Sequence, residues 1–426
     1  MLNRTEAPAF NTIDKVDIIQ AKKQTLSNGI EVYSIDAGSQ ELTRIEFIFH
    51  AGMYYQPAPL IASSANNLAE TGTKSYTADQ ISDNIDFYGS FFEYGVGQDH
   101  ASFTLYSLNK YLEPTITYVE DIIKNPTFPK HEFDIFLANK KQKHLVNSEK
   151  VSVLARRKFN ELLFGEKHPY GIEVKDQDFD TTSLQDVVDF YAHHYHYKNC
   201  IIVASGKLPA NLIEILNKHF GQNNWGSGKA VEEKKIVIAG TNELKHYVKK
   251  DDAIQSAIRI GRVLFNKTHE DYFAFQVLNT VLGGYFGSRL MANIREDKGY
   301  TYGIGSGLAS LAHGGYFFIS TEVGSDVTND ALKETYKEIK TLREDLVGDV
   351  ELELVKNYIL GQFQRSVEGP FSLADKFKAI WEFGLDYSYF DNYFHAVKNI
   401  KATHLRDLAN KYLQEKDLIE CVVGKK

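Results

Sequence analysis

The chain has little cysteine and no long apolar run, and both absences narrow its class. Among 426 residues there are only two cysteines, Cys200 and Cys421. Two cysteines cannot form a disulfide framework or a cysteine-based metal site, and in a chain this long we expect two separate, reduced, buried thiols. No apolar stretch approaches the roughly 18 residues that a membrane-spanning helix requires, so we expect no membrane span.

Positive charge is also in deficit. The 48 lysines and arginines against 56 aspartates and glutamates leave a net charge of −8. Such a chain has no global attraction for nucleic acid or anionic lipid, and we interpret the basic run at 140–144 as a solvated helix face. The N-terminal residues lack the apolar core of a secretory signal, so we expect a cytoplasmic protein.

Aromatic residues, in contrast, are abundant. The 27 phenylalanines and 25 tyrosines can build a large core, and 43% hydrophobic with 24% charged residues is a globular balance. A length of 426 residues predicts two or three domains, at about 100–200 residues each.

The hydrophobic pattern predicts the same order of elements in both halves. In the first half it predicts strands at 30–33, 44–50 and 200–206, a hairpin within 91–106, and helices at 58–71, 77–88, 111–123, 132–143, 151–163 and 184–195. In the second half it predicts strands at 253–263, 300–307, 315–323 and 420–423, and helices at 271–282, 288–296, 329–343 and 349–365.

The clustering of strands and of helices favours an α+β fold over a doubly wound parallel sheet. We therefore predict two similar domains, each a largely antiparallel sheet with helices packed on one face. The most linker-like stretch, rich in glycine and asparagine, is 221–229. It places the predicted domains at 1–225 and 226–426.

Common catalytic motifs are missing. The sequence contains no His-Glu-x-x-His, no reversed form of it, no Gly-x-Ser-x-Gly and no phosphate-binding loop. The densest histidine cluster lies at 193–196, where His193 and His196 are spaced to share a helix face. No carboxylate lies at a useful spacing, and a helix end suits histidine electrostatically, so we favour a structural role there.

One region in the second half carries a recognisable signature. Residues 282–290 read Leu-Gly-Gly-Tyr-Phe-Gly-Ser-Arg-Leu, and 293–302 read Asn-Ile-Arg-Glu-Asp-Lys-Gly-Tyr-Thr-Tyr. This resembles the C-terminal domain of the M16 (insulinase-like, pitrilysin) metallopeptidases, in the half-size branch that includes processing peptidases. Segments 28–32, 72–73 and 168–171 resemble further family motifs in the same order. The resemblance covers nearly the whole chain and implies the LuxS/M16 metallohydrolase fold.

The sequence departs from the family where the metal would bind. Active members carry His-x-x-Glu-His before a Gly-Thr turn, and counting back from the turn at 72–73 places those three functional positions at Ser63, Asn66 and Asn67. Neutral serine and asparagine are poor zinc ligands and cannot act as a general base. The last family ligand is a glutamate on the next long helix, but 137–148 has no acidic residue, and Gln142 and His144 stand about there. The resemblance therefore implies no metal and no hydrolysis by this chain alone.

Two other family residues are retained, Arg295 and Tyr302. The resemblance implies that they bind substrate, since arginine can hold a peptide carbonyl and tyrosine can donate to an oxyanion. In some half-size members one subunit has the zinc motif and the other has this pair, and the sequence matches the second kind. A structural alternative has Arg295 closing a helix with Glu296 and Tyr302 lying in the core.

Three hypotheses follow. The first is the arginine- and tyrosine-bearing subunit of a heterodimeric zinc peptidase, with a zinc-bearing M16 homologue and a peptide as partners, zinc only in that homologue, and no nucleic acid or membrane. The second is a non-enzymatic peptide-binding or structural protein, in which the fold holds peptides or scaffolds a complex. Family members pair an edge strand with the extended substrate, and the corresponding stretch near 93–96 can still do so, because backbone pairing needs no particular side chain. The third is an autonomous zinc protease that uses His100, His144 or the cluster at His193. The sequence leaves open whether homodimers form.

Overall fold

The structure is a computed structural model that describes residues 13, 16–229, 231 and 235–425, and its strands form two sheets. The strands are β1 (Lys22–Thr25), β2 (Glu31–Asp36), β3 (Leu42–Phe49), β4 (Phe91–Val96), β5 (Ala101–Leu108), β6 (Cys200–Gly206), β7 (Lys245–Lys249), β8 (Gln255–Leu264), β9 (Ile304–Leu311), β10 (Gly314–Gly324) and β11 (Ile419–Gly424). The first sheet has the order β1-β2-β6-β3-β5-β4, and the second has β7-β11-β8-β10-β9.

Helices connect these strands in both halves. They are α1 (Ile61–Asn67), α2 (Ala78–Phe87), α3 (Leu112–Lys124), α4 (Lys130–Ser148), α5 (Val151–Phe164), α6 (Asp176–Thr181), α7 (Leu184–His194), α8 (Leu212–Leu216), α9 (Tyr272–Asn279), α10 (Thr328–Glu344), α11 (Asp349–Arg365), α12 (Pro370–Trp381), α13 (Ser388–Asn399) and α14 (Ala402–Tyr412). A π-helical turn (Thr280–Gly284) extends α9, and a π-helix (Met291–Asp297) precedes β9.

The two sheets have the same internal plan. Without β1, the order β2-β6-β3-β5-β4 matches β7-β11-β8-β10-β9, with one parallel pair followed by antiparallel pairs in each. The connecting helices correspond as well, so α1 is the counterpart of α9, α4 of α11 and α5 of α12. The predicted α+β class with two similar, largely antiparallel halves is confirmed. The boundary at residue 225 stays a prediction.

Alternation along the central strand β3 explains how the first sheet buries both faces. Phe47 is fully buried, pairs with Phe103 on one side and with Ile202 on the other, and packs in the core under α1, α3 and α7. The intervening residues Arg44 and Glu46 point to the opposite face. They are also buried there, so a further element must cover that second face.

The covering element comes from the other half of the chain. Helix α12 packs on β2 and β6 of the first sheet, while α5 packs on β8 and β11 of the second sheet. Lys378 of α12 pairs with Glu46 at 2.5 Å, and Asp375 accepts from Arg44 at 3.0 Å. The prediction placed helices on one face of each sheet, and this exchanged helix on the second face was not predicted. It joins the halves through their cores.

A buried carboxylate adds a second link between the halves. Asp99, which is 4% exposed, accepts hydrogen bonds from the Tyr170 hydroxyl and, at 3.1 Å, from the backbone N–H of Ala312 in the β9–β10 turn. The next residue, His313, stacks on Tyr54 with 3.9 Å between ring centroids. The tip of the second-half hairpin is therefore fixed in the first half.

Both cysteines are buried and unbridged, as the sequence predicts. Burial raises the pKa of the Cys200 thiol and raises that of Cys421 to about 12, so both stay protonated at neutral pH. Within the described parts of the chain, no helix is both long enough and apolar enough to cross a bilayer.

Candidate functional site

Helix α1 carries the three positions where the family's zinc motif would lie. It begins after Leu60, a non-glycine residue with φ of 73°, and the Leu60 carbonyl accepts from the Ser63 hydroxyl at 3.0 Å. Asn66 is fully buried, and its amide donates to the Ser102 carbonyl of β5 at 3.3 Å. Ser63 and Asn67 are half-buried. The three side chains thus occupy one short helix, with Asn66 held against the sheet.

A lysine from α4 occupies the space in front of this motif. The Lys140 ammonium donates to the Ser63 hydroxyl at 2.5 Å and lies 4.9 Å from the centre of the Phe136 ring. Burial, and secondarily the nearby Lys143 charge, lower the pKa of Lys140 to about 8. The prediction of a solvated basic face at 140–144 is therefore wrong for Lys140, which packs inward between two helices.

These residues do not fit a zinc ion. Neutral serine and asparagine are poor zinc ligands, and an ammonium donating to Ser63 would repel a cation. No group of three or more histidine, cysteine, aspartate or glutamate side chains within residues 16–229 and 235–425 is arranged to hold a metal. The same two helices that a metal would join are joined here by a lysine–serine hydrogen bond.

The other candidate ligands lie in separate environments. His144 faces Arg157 and Asp176, at 3.2 and 3.4 Å, and Gln142 is exposed. His100 lies 3.4 Å from a carboxylate oxygen of Glu382 on the exchanged-helix side.

The histidine cluster near the end of α7 is also divided. The helix ends at His194, so His193 is exposed while His196 is buried, and the two do not share a helix face. His194 is buried too, and one ring nitrogen lies 2.9 Å from the His50 carbonyl. Burial lowers the pKa of His194 to about 4, which keeps it neutral.

An open groove runs along β4, the edge strand that packs against α1. It has a volume of about 710 Å³ and is lined by residues of β3, β4, β5 and α12 together with Glu70. Tyr94 of β4 shares a hydrogen bond with Glu70, and burial raises the pKa of that carboxyl group and raises the pKa of Tyr94 to about 12. Among the described residues β4 pairs only with β5, so its other edge is unpaired there.

The retained arginine and tyrosine form a cluster on the surface of the second half. The Arg295 guanidinium carbon lies 4.9 Å from the ring centres of both Phe286 and Tyr302. Tyr302 is 90% exposed and Phe286 is 61% exposed. The alternative of Tyr302 as a core aromatic is therefore wrong, and the stacked arginine is held between two rings with its charge at the surface.

A second cleft, of about 340 Å³, opens beside Tyr302. Its walls include Ser152 of α5, Arg259 of β8 and Glu322 of β10. Burial lowers the pKa of Arg259 from its ordinary value. The cleft corresponds to the β4 groove of the first half, since each lies between an exchanged helix and the outer strands of its sheet.

The predicted residues form two groups in different halves. Ala62 and Ala65 of α1 pack in the core of the first half, while Met291 and Ile294 of the π-helix pack in the core of the second. Lys140 is the residue at this candidate site that the sequence prediction missed. Its position one turn after the half-buried Phe136 and the buried Leu137 was the available signal.

Known proteins are similar to this chain in sequence and in fold. A family model described as peptidase M16 inactive domain matches residues 181–359. A Bacillus subtilis protein named uncharacterized zinc protease YmxG is 22% identical over 358 residues, which are 82% of this chain and 84% of that protein. A Helicobacter pylori protein named non-peptidase homolog YmxG is 23% identical over 328 residues, 76% of this chain and 74% of that one.

A solved structure extends the likeness to the whole fold. The crystal structure of a peptidase M16 inactive domain from Pseudomonas fluorescens superposes with a TM-score of 0.82 and 22% identity, covering 95% of this chain and 98% of that one. The family-model match, the relatives that align over most of the chain and the shared fold agree with the ordered motifs of the sequence. The chain is therefore similar to the peptidase M16 inactive domain over residues 181–359, and the relatives and the solved structure extend the similarity in sequence and in fold to most of the chain.

Proposed function

We propose that this chain is the arginine- and tyrosine-bearing subunit of a heterodimeric zinc peptidase that acts on peptides. The observation that carries the proposal is the Phe286–Arg295–Tyr302 cluster, whose tyrosine is 90% exposed. An exposed phenol and a ring-held guanidinium are available to a substrate that lies outside this chain. They suit a shared active site better than an internal one.

The first-half site supports the same proposal. Ser63, Asn66 and Asn67 provide no zinc ligand set, and the Lys140 ammonium lies against Ser63. We therefore place the metal in a zinc-bearing M16 homologue, and this chain holds none. The H. pylori relative named as a non-peptidase homologue is consistent with a member that does not hydrolyse peptides by itself.

Within such a complex this chain's residues would bind and orient the peptide. Arg295 can hold a backbone carbonyl or a carboxylate through paired N–H donors. The Tyr302 hydroxyl can donate to the carbonyl oxygen as it gains charge, which contributes about 3–4 kcal/mol in comparable sites. A cytoplasmic location, with no nucleic-acid or membrane partner, stays a prediction.

The test is co-expression with a zinc-bearing M16 homologue encoded in the same genome. We expect a stable complex in size-exclusion chromatography and cleavage of a quenched-fluorescence peptide library that neither subunit achieves alone. Tyr302→Phe and Arg295→Ala in this chain should each lower kcat/KM by about 10²–10³. Arg365→Ala, which changes an exposed arginine at the end of α11, is the matched control and should leave the rate unchanged.

A second candidate function is peptide binding without cleavage, and the β4 groove of about 710 Å³ favours it. An extended peptide can add to a free strand edge through backbone hydrogen bonds alone. The two proposals give different results in the same experiment. If peptides bind the isolated chain and no homologue gains activity from it, the heterodimer proposal is wrong and the binding role stands.

A further inference from the structure

The second half contains a cleft that neither the family signature nor the proposed function uses. It has a volume of about 530 Å³ and lies between α9, α11, α12 and α13. Six of its lining residues are aromatic, namely Tyr272, Tyr358, Phe363, Tyr389, Phe390 and Tyr393. This volume is within the range of pockets that hold one small organic molecule.

The cleft lies between the helices that correspond to α1 and α4, where the family's zinc motif would lie. Helices α9 and α11 are the counterparts of α1 and α4, because they follow equivalent strands in two sheets of the same order. In the first half, the Lys140–Ser63 hydrogen bond joins that pair of helices. In the second half, Gln276 of α9 and Gln362 of α11 line an open space instead.

The charge of the lining has one sign. Lys267 and Lys376 line the cleft, and no aspartate or glutamate is among the described residues that line it. The Lys267 ammonium donates to the Ala379 carbonyl at 2.8 Å and lies 4.4 Å from the Phe383 ring centre. The Lys376 ammonium lies 5.3 Å from the Phe363 ring centre. Both cations therefore lie against aromatic rings.

Burial is unfavourable for the charge of these lysines, and the nearby carboxylates of Glu382 and Asp375 offset it only in part. Desolvation lowers the pKa of both Lys267 and Lys376 from the ordinary value of 10.5. A buried cation is stabilised when an anion enters beside it and replaces the lost hydration. A negatively charged group in the cleft would therefore stabilise the charge of both lysines further.

The remaining residues that line the cleft indicate the shape and polarity of the uncharged part of such a ligand. Burial raises the pKa of Tyr389 and Tyr393, so both phenols stay neutral and present flat apolar rings. The buried Oδ1 of Asn279 has no hydrogen-bond partner within the described part of the chain, and it can accept from a ligand N–H or O–H. A flat ring with a donor and one carboxylate matches these three features.

We propose that this cleft binds a small aromatic carboxylate, with the carboxylate beside Lys376 and Lys267 and the ring among the tyrosines. The site is independent of the heterodimer, because none of the residues that line it belongs to the Phe286–Arg295–Tyr302 cluster. Failure of one proposal therefore leaves the other unchanged.

The experiment is isothermal titration calorimetry of the full chain with indole-3-acetate and with its neutral amide, indole-3-acetamide. The two probes share the ring and its N–H donor and differ in the charge of the acid group. We expect one saturable site for the acetate, with an affinity at least about tenfold above that of the amide. Equal affinities, or no saturation at about 1 mM acetate, would overturn the proposal.

Two lysine variants locate the binding. Lys376→Gln and Lys267→Gln should each weaken indole-3-acetate binding by about tenfold and leave the amide within about twofold, since only the carboxylate contacts the ammonium. Lys340→Gln, on the exposed face of α10, is the matched control. Melting curves establish that the variants fold. If Lys340→Gln weakens binding as much as the cleft variants do, or if neither cleft variant weakens it, the site is not this cleft.

Discussion

The two equivalent helix pairs, α1 with α4 and α9 with α11, differ in the space between the helices, which is closed in the first pair and open in the second. Between α1 and α4 a lysine donates to a serine at 2.5 Å and closes the space. Between α9 and α11 a cleft of about 530 Å³ stays open, lined by lysine, amide and aromatic side chains. The shared fold therefore determines where a site can form. A few side chains then decide whether that site can hold a metal, a ligand or neither.

The candidate site residues of the two halves also differ in their solvent exposure. Asn66 in the first half is fully buried and is held to the β5 backbone, whereas Tyr302 in the second half is 90% exposed. The first-half residues therefore act within the fold, and the second-half pair faces outward.

The largest effect is expected from restoring metal ligands to α1 and α4. Ser63→His, Asn66→Glu, Asn67→His and Lys140→Glu together should convert the closed interior into a zinc site. We expect about one equivalent of zinc after dialysis, with a Kd in the micromolar range or about 8 kcal/mol of binding free energy. Elemental analysis measures it.

Lys140→Glu alone is the control for the restored site, since one carboxylate without the histidines should retain no zinc. If the fourfold variant also binds none, then the backbone of α1 and α4 differs from that of a zinc site. The contrast between the helix pairs would then not be a matter of side chains only.

The second effect concerns the contact that holds the two halves together. Asp99→Ala leaves the Tyr170 hydroxyl and the Ala312 N–H without their buried acceptor. We expect a loss of about 3 kcal/mol in the free energy of unfolding, measured by urea denaturation. Asp83→Ala, at an exposed position on α2, should change it by less than about 0.5 kcal/mol. Equal effects from the two variants would show that Asp99 does not connect the halves.

The third prediction uses the pH dependence of Lys140. Its folded pKa of about 8 lies below the ordinary 10.5, so between these values the unfolded chain binds more protons and the stability of the protein rises with pH. Lys140→Met removes this pH-dependent contribution to the free energy of unfolding. Because Lys140 is half-buried, we expect the variant to be more stable at pH 7 by only about 1–2 kcal/mol.

Urea titrations of both proteins at pH 7 and pH 10 check the third prediction. The stability difference between Lys140→Met and the unaltered chain should shrink as the pH rises through the folded pKa of about 8 towards 10. A difference that is constant with pH would mean that Lys140 is solvated in the folded protein.

The smallest effect on stability is expected at the exposed cluster. Tyr302→Ala removes one ring from the Arg295 stack but no core contact, so the free energy of unfolding should change by less than about 0.5 kcal/mol. Thermal melting measures it. A loss above about 2 kcal/mol would mean that Tyr302 supports the fold, and any loss of activity in the complex would then need another explanation.

Most elements with a clear hydrophobic period were predicted correctly. The prediction of a helix at 349–365 matches α11 (Asp349–Arg365), and the prediction of a strand at 200–206 matches β6 (Cys200–Gly206). The predicted helix at 58–71 is shorter in the structure, because α1 ends at Asn67 and a 3₁₀ turn (Leu68–Glu70) follows. The edge strands β1 and β7 were missed, since their mostly exposed residues give no alternating pattern.

The exchanged helix α12 was missed as well. Pro370 at its first turn after Gly369 is a helix-start signal that the sequence offers. Even with that signal, the sequence does not predict that α12 packs on the sheet of the other half. An amphipathic pattern indicates that one face of a helix is buried and does not identify the element that covers it.

Residue patterns along the chain suffice for the α+β class, the repeated order of elements, the family signature and the lack of zinc-ligand side chains at Ser63, Asn66 and Asn67. Each of these depends on local periodicity or on residue identity at a counted spacing. Only the tertiary structure decided that Lys140 meets Ser63, 77 residues earlier in the chain, that Tyr302 faces outward, and that α5 and α12 change sheets. These contacts depend on how distant elements pack together, and the spacing of residues along the chain does not encode that geometry.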